Sequence, residues 1–321
     1  MSDRTDHLPG KDAAEVRAKA GTVSALPRSP DSPLDNLPLE RTSFVGRERE
    51  VGELKRLLSE RPLLTLCGPG GAGKTRLALA VARNVAVELE DGIWWVKLAS
   101  ITDPALLAGV VAQAVGVREA PDLPPTEALV DRLEGREALL VLDNCEHLIE
   151  ACAGLADTLL GRCQGLRILA TSREPLRVAG ETNFMVPPLS LPEPELSPST
   201  EDLFGYEAVR LFVERARAAK ADFSVTNENA PAVAEICYRL DGLPLTIELV
   251  AARIKLLTPQ AILGRLGNRL KLLTGGARNL PERQQTLRST IEWSYGLLEE
   301  GEKVYSSPGF LYLREDAPSK P

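Results

Sequence analysis

One glycine-rich stretch, residues 68–75, constrains the fold of this chain more than any other. It reads Gly-Pro-Gly-Gly-Ala-Gly-Lys-Thr and satisfies the pattern G-x-x-x-x-G-K-[ST]. The largely apolar run at residues 63–66 predicts a buried strand before it, and Leu77, Val81 and Val85 repeat at helical spacing after it. The sequence therefore predicts a strand, a glycine-rich loop and a helix in immediate succession.

A loop of this composition favours phosphate as its ligand. Its glycines can adopt backbone angles that turn several amides inward at a helix N-terminus, which carries partial positive charge. Lys74 would reach the β- and γ-phosphates of a nucleotide, and the Thr75 hydroxyl would ligate Mg²⁺. The alternative is a glycine turn that matches the pattern by accident, but the flanking strand and helix favour nucleotide binding. The predicted contacts are Gly68, Pro69, Gly70, Gly71, Ala72, Gly73, Lys74, Thr75 and Arg76.

Composition excludes several other classes of protein. The chain has 321 residues, of which 44% are hydrophobic and 26% charged, as is ordinary for a globular protein. Its net charge of −7 argues against broad attraction to nucleic acid, although it does not exclude a local basic face. The cysteines form no C-x-x-C pair and the chain has 2 histidines, so buried thiols are expected rather than a zinc site. With no signal-peptide core and no long apolar run, a cytoplasmic protein without membrane spans is predicted.

Shifts in composition divide the chain into four parts. Residues 1–38 are polar and proline-containing and predict a disordered leader. The nucleotide-binding α/β domain is predicted at 39–200, because the proline-rich stretch 187–198 is typical of a stiff connector. Helical spacing of apolar residues then predicts an all-α subdomain at 201–276. Residues 277–321 form the fourth part.

A second strand carries an acidic residue at its end. Residues 138–143 form a continuous apolar run that closes with Asp143, as expected of a central parallel strand that places a carboxylate at its carboxyl edge. This is the Walker B pattern, in which Asp143 would hold Mg²⁺ together with Thr75. The alternative is an aspartate that caps the next helix, but its position behind a phosphate loop favours the metal role.

The residue after that acid is Asn144, where an active ATPase usually carries Asp or Glu. An amide cannot accept a proton from water. Glu146 and His147 are close in sequence, but a helix cap or a surface position explains each of them equally well. Slow turnover or simple nucleotide retention is therefore expected, unless Glu50 or Glu146 supplies a base.

A third strand is predicted at residues 166–173, with Arg173 at its carboxyl end. Ligands of open parallel sheets bind at those ends, so this guanidinium is a candidate to contact a γ-phosphate. The alternative is an arginine that faces solvent and ends the strand.

Two further segments have structural explanations that do not exclude a role in binding. Residues 42–50 are compatible with a helix start capped by Thr42 or Ser43 and followed by acidic residues. At residues 239–245, Gly242 can end one helix and Pro244 can begin the next.

Taken in order, these segments resemble the motifs of the signal-transduction ATPases with numerous domains, the STAND class that includes NB-ARC proteins. The hhGRExE signature matches at residues 44–50, and Walker A, Walker B, a sensor-1-like arginine and a GxP motif follow. The resemblance covers roughly residues 36–302. It implies a P-loop NTPase (AAA+-like) parallel sheet flanked by helices, followed by a small all-α subdomain.

The resemblance also implies roles for particular residues. The backbone of Phe44 and Val45 would lie along the adenine of ATP or ADP, Gly46 would belong to the same contact, and Arg47 would approach the phosphates. Pro244 would pack against the adenine. Further implied roles are detection of the γ-phosphate by Arg173 and a position near it for Glu50.

The function implied is a nucleotide-dependent switch in a bacterial regulator of the LuxR or AfsR/SARP type. ADP would favour a closed form, and ATP an open form that associates with itself or with a regulatory protein. Residues 277–321 resemble the start of a winged-helix domain that is truncated or divergent, and no DNA-binding module is evident. Two alternatives remain: an ATPase that turns over to drive a partner, and a fragment that binds nucleotide without signalling.

Overall fold

The computed structural model describes residues 36–117, 122–192 and 200–273. The predicted leader up to residue 35 and the predicted winged-helix start at 277–321 lie outside these residues. The elements in order are α1 Glu48–Glu60, β1 Leu63–Cys67, α2 Lys74–Val85, β2 Ile93–Lys97, α3 Leu107–Ala114, α4 Pro125–Leu133, β3 Ala138–Asp143, α5 Ile149–Arg162, β4 Leu166–Thr171, β5 Glu181–Met185, α6 Thr200–Leu203, α7 Glu207–Ala219, α8 Ala230–Arg239, α9 Pro244–Ala251 and α10 Pro259–Leu273.

The strands form one parallel sheet with the order β2-β3-β4-β1-β5. Strand β4 therefore lies between β1, which leads into the glycine-rich loop, and β3, which ends at Asp143. The register places Thr171, the last residue of β4, opposite Leu66 on one side and Asp143 on the other. This topology brings the loop, Thr171 and Asp143 to the same edge of the sheet.

Alternating side chains give the sheet two separate cores. Trp94 packs with α3, α4 and α5 on one face, whereas its neighbour Trp95 packs with α1 and α2 on the other. Both indoles are buried, so the two side chains point in opposite directions and serve packing. The sheet is covered on both faces, as its continuous apolar strands require.

A third apolar core lies among helices α6 to α10, around the fully buried Phe212. The connector contributes Leu189 to this core, and the Leu189 N–H donates to the Gly242 carbonyl at 3.0 Å. Gly242 has a left-handed φ of 64°, and a Cβ on it would lie 2.5 Å from the Leu189 carbonyl oxygen. The helical region is thus joined to the connector by a backbone contact that only glycine permits.

The observed architecture confirms the predicted fold class, an α/β P-loop NTPase sheet flanked by helices and followed by a helical region. Within the described residues, the side-chain amide of Asn36 pairs with the backbone of Trp95. Among the helices described, none has the length and apolarity needed to cross a membrane.

Candidate functional site

A cavity of about 330 Å³ lies between the carboxyl edge of the sheet and the helical region. One side, the loop wall, consists of residues from the glycine-rich loop and from the ends of β3 and β4. The opposite side, the helical wall, consists of Leu211 and Arg215 of α7 and Pro244, Leu245 and Glu248 of α9. Residues 43–45 and Arg47 lie between the two walls.

The loop wall begins with a tight turn into α2. Gly73 stands at the helix N-cap with φ 86°, a left-handed conformation that favours glycine. The Lys74 Nζ folds back and donates to the carbonyl oxygens of Gly68 at 2.7 Å and Pro69 at 3.0 Å. The ammonium is therefore already held over the mouth of the loop, where a phosphate would be neutralised.

Asp143 is buried beside the loop and accepts two hydroxyl hydrogen bonds on the same oxygen. Thr75 Oγ1 donates to Asp143 Oδ1 at 2.8 Å, and Thr171 Oγ1 donates to it at 2.7 Å. Burial raises the pKa of Asp143, although the two hydrogen bonds oppose this. The arrangement brings together the two predicted metal ligands, Thr75 and Asp143, and adds Thr171, which was not among the predicted residues.

Asn144 is held in a strained turn after Asp143. Its φ of 72° is left-handed, and its N–H donates to Thr171 Oγ1 at 2.9 Å. His147 Nε2 lies 3.0 Å and 2.8 Å from two carbonyl oxygens, which can only accept, so this nitrogen carries the proton. The Asn144 amide can then donate to His147 Nδ1 at 3.2 Å. Both residues thereby stabilise the turn.

Glu146 projects from that turn into the cavity, but Arg173 does not line it. Strand β4 ends at Thr171, and Arg173, two residues later, donates from Nε to Glu146 Oε1 at 3.0 Å. The predicted contact of Arg173 with a γ-phosphate stays a prediction. Glu50, on α1, is not among the residues that line the cavity.

Arg47 is the most buried cation of the site, with 3% of its surface exposed. Its Nη2 donates to the carbonyl oxygens of Ala72 and Pro187 at 2.7 and 2.9 Å. Burial lowers the pKa of Arg47, while the charges of Glu50 and Glu207 oppose the shift. Nη1 is buried and has no hydrogen-bond partner within the described part of the chain.

The segment before Arg47 connects the two walls. Phe44 packs against the core under α2, whereas Val45 packs against the helical core. Arg47 itself is the N-cap residue of α1, with φ 65° and no side-chain cap, so the expected capping by Thr42 or Ser43 is not observed. Those residues instead accept hydrogen bonds from Arg76 and Arg215.

Glu207, at the start of α7, supports this segment from the helical side. One carboxylate oxygen accepts from the Arg47 N–H and the other accepts from the Ser190 N–H at 3.0 Å. Gly46 lies so close that a Cβ on it would be 2.7 Å from Glu207 Oε1. Gly46 is therefore needed for packing at the edge of the cavity, which it does not line.

The helical wall rests directly on the loop. The Leu245 N–H donates to the Gly71 carbonyl at 3.3 Å, and a Cβ on Gly71 would lie 3.1 Å from Leu245 Cβ. Pro244, the first residue of α9, packs close to Gly73. The predicted helix restart at Pro244 is confirmed. Thr246 Oγ1, in the first turn of α9, donates to the Leu243 carbonyl at 2.7 Å.

Arg215 provides the main polar contact between the helical wall and the segment at 43–47. Its Nη2 donates to the Ser43 carbonyl at 2.9 Å, and its Nε donates to Glu248 Oε1 at 2.9 Å. The side chain is 12% exposed. Nothing in the local sequence distinguishes this arginine from others on an amphipathic helix. Its contact with Ser43 joins residues 172 positions apart.

Several of the predicted site residues meet at this cavity and others lie behind it. The predicted residues that line it are Val45, Arg47, Gly70, Gly71, Gly73, Lys74, Thr75, Arg76 and Pro244. Those outside its lining are Gly46, Gly68, Pro69, Ala72, Asp143 and Arg173. Asp143 is nevertheless joined to it through Thr75 and Thr171.

The donor set fits a magnesium nucleotide. The loop has no side chains at Gly71 and Gly73, which leaves room for a ligand beside its backbone. The Nη1 of Arg47 is a buried donor without a partner, which is costly, so it is suited to bind an anion. Hydroxyl and carboxylate oxygens, here from Thr75 and Asp143, are the ligands that Mg²⁺ prefers. The bound metal would supply charge neutralisation for phosphate oxygens.

Sequence comparison relates the chain to parts of larger bacterial proteins. It is 45% identical over 251 residues to Rv0890c of Mycobacterium tuberculosis, provisionally named an HTH-type transcriptional regulator, covering 78% of this chain and 27% of that protein. It is 44% identical over 263 residues to uncharacterized protein Rv0894 of the same organism, covering 82% of this chain and 64% of that protein. The regulatory protein AfsR of Streptomyces griseus is 28% identical over 279 residues, which cover 82% of this chain and 26% of AfsR.

The chain thus spans less than two thirds of the length of each of these relatives. No protein-family model matches it. Among solved structures, a STAND protein with a tetratricopeptide repeat sensor from Pyrococcus horikoshii aligns with a TM-score of 0.48 and 18% identity, over 86% of this chain and 35% of that chain. By sequence, the chain is similar to segments of bacterial proteins, two of which, Rv0890c and AfsR, are named as regulators.

Proposed function

We propose that this chain is the nucleotide-binding switch of a bacterial transcriptional regulator, of the STAND and NB-ARC type. ATP or ADP with Mg²⁺ occupies the cavity, and the bound nucleotide decides how the helical region packs on the loop. Turnover is slow, because Asn144 cannot act as a base. The output is association with a second copy or with a regulatory protein.

One observation carries this proposal. The glycine-rich loop that would hold phosphates also accepts a hydrogen bond from Leu245 and packs against Pro244. A ligand on one side of the loop and the helical wall on the other therefore share the same backbone. A ligand that alters this backbone must also alter the free energy of the contact, which is the requirement for a population shift.

The geometry and the motif resemblance support the following individual roles. Lys74 binds the β- and γ-phosphates, Thr75 and Asp143 hold Mg²⁺, and the free Nη1 of Arg47 binds a phosphate oxygen. The backbone of Val45 and the ring of Pro244 lie against the base.

The names of the relatives favour the regulatory context, because AfsR and Rv0890c are both named as regulators. A rapidly cycling ATPase that drives a partner is the competing function.

The first test is the nucleotide content of the purified chain, followed by its rate of exchange against labelled ATP. Tightly retained ADP that is absent from Lys74→Ala is expected. Amide hydrogen exchange of α7 and α9 should differ between the ADP and ATP forms, because the two nucleotides are proposed to favour different packing.

Three outcomes would contradict parts of this proposal. No binding at any nucleotide concentration excludes the site itself. Weak binding with fast exchange indicates a fragment that cannot hold a closed state. Turnover near or above about one per second, typical of enzymes, indicates a working ATPase rather than a switch.

A further inference from the structure

The turn after β3 poses a chemical problem for any hydrolysis in this cavity. The residue next to Asp143 is Asn144, whose backbone N–H is bound to Thr171 and whose side chain is bound to His147. An amide has no basic site for the proton of an attacking water. If the cavity hydrolyses nucleotide, the base must come from elsewhere.

The same turn supplies an alternative carboxylate. The short 3-10 helix Cys145–His147 directs Glu146 into the cavity, whose lining it shares with Lys74, Thr75 and Thr171. Its charge also acts on Asp143, where it contributes to the raised pKa. Glu146 is thus near the predicted metal ligands and on the side of the cavity where phosphates are expected.

Arg173 holds this carboxylate in place. The Arg173 Nε donates to Glu146 Oε1 at 3.0 Å, and the two side chains are 26% and 13% exposed. A charge-assisted hydrogen bond in a poorly solvated position orients the carboxylate. The segment after β4, which carries Arg173, is therefore hydrogen-bonded to the turn after β3, which carries Glu146.

We infer that Glu146 is the general base for nucleotide hydrolysis in this cavity and that Arg173 is its positioning residue. The inference rests on the proposed nucleotide binding. Water donates a proton to the Glu146 carboxylate while its oxygen forms a bond to the γ-phosphorus. The bond between that phosphorus and the bridging oxygen breaks, and its electron pair leaves with ADP. The products are ADP and inorganic phosphate, and Glu146 then releases the proton to solvent.

The experiment measures hydrolysis and binding separately on the full chain. Single-turnover hydrolysis of γ-labelled ATP with Mg²⁺ gives the rate, titration with a fluorescent ADP analogue gives Kd, and chromatography identifies the nucleotide that copurifies. In Glu146→Gln the rate should fall about 100-fold or more, as expected for loss of a general base. Its Kd should stay within about twofold, and ATP rather than ADP should copurify.

Matched variants separate this role from charge and folding effects. Glu150→Gln makes the same change at an exposed position one turn further along and should leave the rate unchanged. Arg173→Ala should lower the rate at an unchanged Kd, and Arg173→Lys should restore part of it, which a purely structural role in folding would not predict.

Specific results would overturn the inference. A Glu146→Gln rate within twofold of wild type, or a large loss in Glu50→Gln instead, assigns the base elsewhere. Wild-type protein that binds ATP and never hydrolyses it refutes the inference and leaves the proposed switch intact. Wild-type protein that binds no nucleotide refutes both.

Discussion

The two walls of the cavity are built in opposite ways. The loop wall comes mainly from one short motif, in which Lys74 and Thr75 are adjacent in sequence and the parallel sheet adds Asp143 and Thr171. The helical wall depends on contacts between distant residues, such as the hydrogen bonds of Arg215 with Ser43 and of Glu207 with Arg47, across 172 and 160 positions. Sequence motifs therefore predict the residues of the loop wall, which are close in sequence, but not the long-range contacts of the helical wall.

The walls also differ in what they can recognise. The loop wall offers amides, an ammonium and oxygen ligands, which suit phosphates and Mg²⁺. The helical wall and residues 43–45 offer apolar surface together with the Arg215–Glu248 ion pair, which suits a nucleoside. If this division holds, substitutions in each wall should separate binding of polyphosphate from binding of the whole nucleotide.

The largest effect is expected in the loop wall. Lys74→Ala should weaken binding of ADP and of inorganic tripolyphosphate alike, by about 30-fold or more, because truncation of one partner in a close charge pair costs about 2–5 kcal/mol. Isothermal titration calorimetry measures both Kd values. Lys55→Ala, on the surface, is the control. Tripolyphosphate binding that survives Lys74→Ala would remove the distinction between the walls.

The next largest effect is expected from a substitution at the junction between the connector and the helical region. Gly242→Ala should lower the free energy of unfolding by about 2–4 kcal/mol, because it adds left-handed strain and a clash with the Leu189 carbonyl oxygen. This corresponds to a fall in Tm of roughly 5–15 °C by calorimetry. Gly52→Ala, inside α1 with open space around it, should instead stabilise by up to about 1 kcal/mol. Equal effects would contradict the role of the junction.

The polar contact of the helical wall should matter less, and only for the nucleoside. Arg215→Ala should weaken ADP about 5- to 30-fold, a cost of about 1–2 kcal/mol, because Ser43 and Glu248 lose their shared partner. Tripolyphosphate affinity should change less than about twofold. Arg217→Ala, exposed on the same helix, should affect neither ligand. Parallel losses for both ligands would show that the two walls are not independent.

The smallest effect is expected when the charge of Asp143 is removed, which should stabilise the ligand-free protein. Burial raises the pKa of Asp143, so the folded state holds its proton more tightly than the unfolded chain. Its contribution to stability is therefore present below the ordinary aspartate value and is lost as pH rises through the raised pKa.

At neutral pH, Asp143→Asn should raise the Tm of ligand-free protein by about 2–4 °C and abolish the effect of Mg²⁺ on ADP binding. The amide oxygen still accepts from Thr75 and Thr171, so packing is preserved. Exposed Asp157→Asn is the control. If Asp143→Asn instead lowers the Tm, and by more than Asp157→Asn does, the ionised carboxylate stabilises the fold and the prediction is wrong.

Much of the loop wall could be predicted from residues alone. A glycine-rich loop between strand and helix, an acid at the end of an apolar strand and a proline after a glycine each have a local physical cause, and each lies where it was expected. Thr171 could not be predicted in this way, because only the strand order shows that β4 ends between the loop and Asp143.

The amino-acid sequence alone was sufficient for the α/β class, the order of the motifs and the chemistry of the phosphate-binding loop, since each depends on neighbouring residues and on the period of a strand or helix. Tertiary structure decided the partners of the side chains. It placed Arg215 on Ser43, Glu207 on the turn at Gly46 and Arg173 on Glu146. These contacts form between elements far apart in the chain, and their energies depend on burial and distance, which no local pattern encodes.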